Sequence, residues 1–252
     1  SFMNPIDLKS FLDEKAALYE HPRFIDSDPI QIPHQFTLQQ DIEIAAFLTA
    51  TIAWGNRKSI LSSAQKMMQL MGNTPYSFVM TYEGEELPSF AHRTFNSHDL
   101  AFLCLGLQKL YHQYENMNTF FKSKEKTTVA HKIDAFRTFM LQVPHEKRSE
   151  KHLSNPNKGS AAKRLNMFFR WMVRSAKAGV DFGLWTAIKP KELSIPLDVH
   201  TGNVARKLGL LKRKQSDRKA LEMLDAQLRI MDPKDPVKYD FALFGLGVFE
   251  KF

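Results

Sequence analysis

The sequence holds a single cysteine, Cys104, in 252 residues. No internal disulfide can form, and four cysteines of one chain cannot hold an iron–sulfur cluster here. Long apolar runs are also missing. Nowhere do 18 apolar residues follow one another, so no transmembrane helix is expected. The first residues carry Asp7, Asp13 and Glu14 instead of the basic-then-apolar order of a signal peptide, which points to a cytoplasmic protein. Ser1-Phe2 ahead of Met3 reads as a tag remnant. Acid is scarce relative to base: 27 Asp and Glu stand against 35 Lys and Arg, a net charge of +8. Such an excess suits polyanionic partners through phosphate neutralisation. Many basic proteins bind no nucleic acid, so charge alone assigns no function.

Alternating strand patterns are few, and internal repeats and low-complexity tracts are absent. What remains is helical. Hydrophobic residues make up 43% of the chain, enough to bury a substantial core. Residues 40–53 are apolar nearly all round, as in a buried central helix. Apolar positions at helical spacing predict helices over 59–72 and 98–114, and further helices are expected over 127–141, 160–177 and 216–231. Met67, Met68 and Met71 read as core filling. Breaks fall at 72–75, 83–88, Pro144, 155–157, Pro190 and Pro196.

Residues 147–164 carry Lys147, Arg148, Lys151, Lys158, Lys163 and Arg164 with only Glu150 against them. A Pro-Asn-Lys-Gly turn sits in the middle, and a helix is expected from about Ser160. A glycine turn feeding a helix N-terminus offers free N–H groups and a positive dipole end, both suited to a phosphate. A solvated basic loop is the other reading. Lys163 then stands at the edge of an apolar helix with Leu165, Met167, Phe168, Phe169, Met172 and Val173. Partial burial lowers a lysine's pKa, and a neutral amine is a nucleophile for Schiff-base chemistry. The alternative is a side chain that reaches out to solvent. Arg170 lies two turns on, along the same face.

In IPLDVHTGNVARKLGLL (195–211), Pro196 blocks a helix and Asp198 is placed as an N-cap with Thr201 three residues on. The helix runs from about Val199 to Leu208 and ends at Gly209. Capping is role enough for an aspartate. A carboxylate near a lysine would also stabilise positive charge developing on a sugar ring.

The LDVHTGNVARKLGL stretch resembles the aspartate segment of the helix-hairpin-helix DNA glycosylase superfamily, and SAAKRLNMFFRWM is similar to the lysine-bearing helix of its archaeal 8-oxoguanine branch. A bacterial group related to that branch is similar as well. The resemblance implies an all-α, two-lobed fold: residues 37–195 as a central lobe carrying the hairpin, residues 3–36 with 196–252 as the second, and a cleft between them. It implies a base-excision glycosylase with AP lyase activity that removes an oxidised purine, 8-oxoguanine being favoured, from double-stranded DNA. Lys163 would be the nucleophile and Asp198 the charge stabiliser. Asp240, Phe244, Arg170 and Trp54 would hold the flipped base. Lys158, Gly159, Ser160, Arg164, Asn56, Arg57 and His200 would contact DNA. No cofactor or metal is called for, and the protein would be a monomer associated with the nucleoid when bound to DNA. The stretch LSNPNKGSAAK departs from the superfamily's Leu-Pro-Gly-Val-Gly hairpin, which leaves Lys158 as a competing nucleophile. Phe244 stands where the archaeal branch often has tryptophan. A glycosylase without lyase activity, acting on another lesion, and a non-catalytic DNA-binding protein on the same fold are the alternatives.

Overall fold

A computed structural model describes residues 3–124 and 126–252; Ser1 and Phe2, the expected tag remnant, lie outside the described residues. Along the chain the helices are α1 (Pro5–Tyr19), α2 (Gln39–Thr51), α3 (Arg57–Leu70), α4 (Pro75–Thr81), α5 (Ser97–Gln113), α6 (Met117–Lys122), α7 (Val129–Met140), α8 (Lys163–Val173), α9 (Val199–Lys207), α10 (Arg218–Met231) and α11 (Tyr239–Val248). A two-stranded antiparallel hairpin, β1 (Ala91–His92) and β2 (Phe95–Asn96), precedes α5. The protein is all-α in class.

The chain divides into two units. One comprises Ser1–Phe24, Asn155–Gly183 and Ile188–Phe252; the other comprises Ile25–Ser154 and Leu184–Ala187. The division falls elsewhere than the lobes drawn from sequence. Residues 155–183 and 188–195 group with the chain ends, and residues 25–36 group with the central helices.

In the first unit α1 packs on α11, and α11 on α9. Leu12 of α1, Leu224 and Leu228 of α10 and Leu243 and Leu246 of α11 are all buried to 1% exposure or less. Each such side chain removed from water stabilises by roughly 1.5–3 kcal/mol. Gly245 permits the closest approach: a Cβ there would lie 2.1 Å from the Tyr19 ring.

In the second unit α2 is the buried central helix expected from its composition, and Met67, Met68 and Met71 are core. Glu43 of α2 has no exposure, yet it organises the unit. Its carboxylate accepts from the Tyr111 hydroxyl (3.0 Å), the Met117 N–H (2.9 Å) and the Trp185 indole (2.8 Å). Burial pushes its carboxyl up against those bonds. Asn118 Oδ1 accepts from the Thr186 and Ala187 N–H groups at 3.0 and 2.9 Å. These polar bonds account for the short segment 184–187 belonging to this unit although the residues around it do not. Cys104 is buried here, and burial pushes its thiol up to about 12.

Candidate active site

Lys163 opens α8 after two left-handed residues, Gly159 (φ 86°) and Ala162 (φ 50°). The helix therefore starts three residues later than expected. Ser160 Oγ accepts the Ala162 N–H at 3.0 Å, and the Asn166 amide donates to the Ala161 carbonyl at 3.0 Å. These bonds hold residues 160–162 in a turn and support a conformation that a non-glycine residue seldom adopts. The helix also ends earlier, since Arg174 is extended. From Leu165 to Val173 every residue of α8 is buried. Lys163 and Arg164, at its start, are half-buried.

Asp198 is the N-cap of α9, accepting the Thr201 N–H at 2.9 Å, and the helix turns off at Gly209 (φ 77°). Its second oxygen, Oδ2, lies 3.4 Å from Lys163 Nζ, and each side chain is 32% exposed. Burial alone would raise the Asp198 carboxyl. The Lys163 ammonium and the Thr201 N–H outweigh burial and hold it below the ordinary carboxylate value. His200, one residue into α9, is exposed.

Asp240, on α11, is buried and binds the Arg170 guanidinium at 2.7 Å. Arg170 also reaches Asp181 (3.3 Å), and Arg174 binds Asp181, Glu20 and Asp235 at 2.8 Å each. Two guanidiniums thus serve four carboxyls. Burial, with the Asp198 charge added, pushes the Asp240 carboxyl up despite Arg170. Asp198 and Asp240 are therefore driven in opposite directions. Phe241 lies under both guanidiniums, 4.6 Å from Arg170 and 5.4 Å from Arg174. Phe244 is half-buried, edge-on to Phe24 at 5.5 Å and to Phe249 at 6.1 Å. The structure brings Lys163 to Asp198 and Arg170 to Asp240. Arg170 does not accompany Lys163 toward solvent, because its charge is taken up by buried carboxylates.

Lys158 and Gly159 are exposed on the turn ahead of Lys163, and Ser160 is half-exposed. Only part of the basic stretch belongs with them. Lys147, Arg148 and Lys151 lie in the other unit. Arg148 does not add to a basic surface: it grips Asp99 with two bonds of 2.8 and 2.9 Å. Burial would raise Asp99, but His152, Ser149 and the Asn96 N–H hold it at about 2. Glu150 pairs with His145 at 2.8 Å. Sequence counting missed Asp99 because it is 49 residues upstream of Arg148.

Trp54, Asn56 and Arg57 are also in that other unit. His92 Nε2 donates to the Trp54 carbonyl (3.0 Å), and its Nδ1 hydrogen-bonds with Ser63 Oγ (2.9 Å). The His92 ring stands edge-on to the half-buried Trp54 indole at 5.2 Å. Asn56 Oδ1 caps α3 by accepting the Ser59 N–H (3.1 Å), and Arg57 donates to the Ser27 carbonyl (2.8 Å). Among the described residues no group of three or more His, Cys, Asp or Glu could hold a metal ion.

The fold and its charged pair thus define a protein of the all-α class with a half-exposed lysine–carboxylate pair at two helix starts. The chain belongs to the DUF2400 family, described as "Protein of unknown function", whose model matches residues 28–249. No curated protein and no solved structure matches it.

Proposed function

We propose that this chain is a DNA base-excision glycosylase with AP lyase activity, built as a two-lobed helix-hairpin-helix fold, that removes an oxidised purine from double-stranded DNA, with 8-oxoguanine the favoured lesion. The observation that carries the reading is the 3.4 Å approach of Lys163 to Asp198, both reachable by solvent. A lysine with a carboxylate at that distance can exchange its proton for a bond to a sugar C1′, and the departing base takes a proton as it leaves. The ring then opens to an imine between C1′ and the lysine nitrogen. The Asp198 carboxylate, kept ionised, offsets the positive charge on the sugar as the base departs. The Lys158 and Gly159 N–H groups are bonded within their turn to the Asn155 and Pro156 carbonyls, so what this turn offers a phosphate is the exposed Lys158 cation. The Arg170–Asp240 pair and Phe244 provide polar atoms and an aromatic face for an extruded base.

Borohydride trapping on oligonucleotides carrying 8-oxoguanine or an abasic site tests this. The wild type gives a covalent adduct and Lys163→Ala gives none. An adduct that survives Lys163→Ala moves the nucleophile to Lys158. No adduct on any oxidised or abasic substrate ends the lyase reading, and free base released without an adduct identifies a glycosylase that does not use the lysine. DNA affinity that does not fall with salt would contradict a nucleic-acid partner altogether.

A further inference from the structure

Lys163 and Asp198 stand on segments 35 residues apart, and one helix outside the pair binds both segments. The first residue of α10, Arg218, donates its backbone N–H to the Gly159 carbonyl at 3.0 Å, just ahead of Lys163. Two turns on, Asp225 Oδ1 accepts the Ile195 N–H at 3.0 Å, three residues before Asp198. One further turn on, Arg229 donates to the Leu193 carbonyl at 2.6 Å. The Arg206 guanidinium of α9 reaches the Arg213 and Gln215 carbonyls, both at 2.7 Å, in the loop that leads into α10. Residues 194–197 lie outside any ladder or helix, and Leu193, Ile195 and Leu197 are buried. Their path is set by these side-chain bonds.

Asp225 is an unusual choice for this task. It is 5% exposed, on a helix whose Leu221, Leu224 and Leu228 are core. Burial pushes its carboxyl up to about 6, against the Ile195 N–H and the nearby Arg229, with Glu222 adding to the rise. A buried carboxylate is a cost that packing alone would not retain. Its one backbone bond falls on the segment that delivers Asp198 to the start of α9.

We infer that Asp225 is a positioning residue for the Lys163–Asp198 pair: by accepting the Ile195 N–H it fixes the extended segment from which Asp198 enters α9, while the Arg218 N–H fixes the turn that delivers Lys163. α10 is then the ruler that sets the distance between the two. The consequence for catalysis rests on the reading of the pair as a base-excision site; the geometric claim does not.

The test compares Asp225→Asn, which keeps an oxygen acceptor, with Asp225→Leu, which loses it; both remove the charge. The Asp198 carboxyl is titrated by carbon NMR in the folded protein without DNA. In the Asn variant it titrates as in wild type, below the ordinary value. In the Leu variant it rises by about half a unit or more as Lys163 and the Thr201 N–H lose their placement. Borohydride trapping in single turnover falls about a hundredfold in the Leu variant and is retained in the Asn variant. An unchanged Asp198 titration in a folded Leu variant overturns the inference, as does an equal rise in both variants. If Leu does not fold, Asp225→Ala removes the acceptor with less volume and decides in the same way. If the wild type gives no adduct on any DNA, the base-excision reading fails, and the titration still decides the role of Asp225.

Discussion

Asp198 can be stripped of its charge without losing its cap. Asn and Asp are equivalent N-caps, so Asp198→Asn keeps an oxygen for the Thr201 N–H, 2.9 Å away in the wild type. What it loses is the pairing with Lys163 at 3.4 Å, in which both side chains are 32% exposed. Solvent screens a pair that open, and pairs of this kind contribute about 0.2–1 kcal/mol. Asp198→Ala loses the cap as well, a further ~1 kcal/mol, for a total of about 1–2 kcal/mol. Neither change should unfold a domain of ordinary stability. The Asp198 carboxyl is depressed in the folded protein, so its contribution is full above the unfolded value of about 4 and is lost as pH falls through the folded value. The gap in urea midpoint between wild type and the Asn variant is therefore widest near neutrality and closes on acidification. On the base-excision reading proposed above, trapping should behave differently, because the Asn variant then loses a fixed charge facing the sugar, worth about 10²–10³ in rate. Urea titrations of the three proteins at several pH values, beside trapping rates at pH 7, separate the two roles. An Asn variant as unstable as the Ala variant at pH 7 would refute the capping argument. An Asn variant that traps at the wild-type rate would refute the electrostatic one.

Three further outcomes follow from the buried groups. Glu43→Gln leaves one acceptor oxygen for the Tyr111, Met117 and Trp185 donors and turns an amide toward the rest, so it should cost about 2–4 kcal/mol in urea denaturation and shift the Trp185 fluorescence. Gly245→Ala sets a methyl 2.1 Å from the Tyr19 ring and should cost about 1–3 kcal/mol; Tyr19→Ala in the same chain should recover part of that, and strict additivity would mean the ring is not the obstacle. Asp225 has its folded value raised to about 6, so the wild type carries no penalty below about pH 4 and the full penalty above pH 6. Asp225→Asn should therefore gain up to ~3 kcal/mol over wild type between pH 4.5 and pH 7.5, read from urea midpoints, and a flat difference across that range would contradict the raised value.

The Asp198 cap, its Thr201 partner and the turn-off at Gly209 were legible in the sequence because each is decided within a few residues. The same holds for the buried run of α2 and the methionine stripe of α3, where helical spacing and composition leave little choice. The start of α8 was misplaced because Ala162 turns left-handed, supported by the Asn166 and Ser160 side chains, and no local pattern marks an alanine for that conformation. The basic stretch 147–164 was legible as charge and illegible as surface. Arg148 is neutralised by an aspartate in the first turn of α5, with α6 and α7 between them in the chain, and the stretch is shared between two units. Arg170 was expected on the face of Lys163 because the spacing of a helix places it there, but burial and carboxylates from distant segments decide whether such a residue meets solvent.

By itself, then, the sequence determined what hydrogen bonds between near neighbours and apolar periodicity control: an all-helical chain, the caps, most helix spans, and the chemistry available at Lys163 and Asp198. Only the tertiary structure decided which charges meet. It set Lys163 against Asp198, closed Arg170 on Asp240, tied Trp185 to Glu43 and residues 186–187 to Asn118, and placed Asp225 behind the segment that carries Asp198. Those pairings depend on burial and on contacts across tens of residues, where the energy of each bond is fixed by what surrounds it and not by what precedes it in the chain.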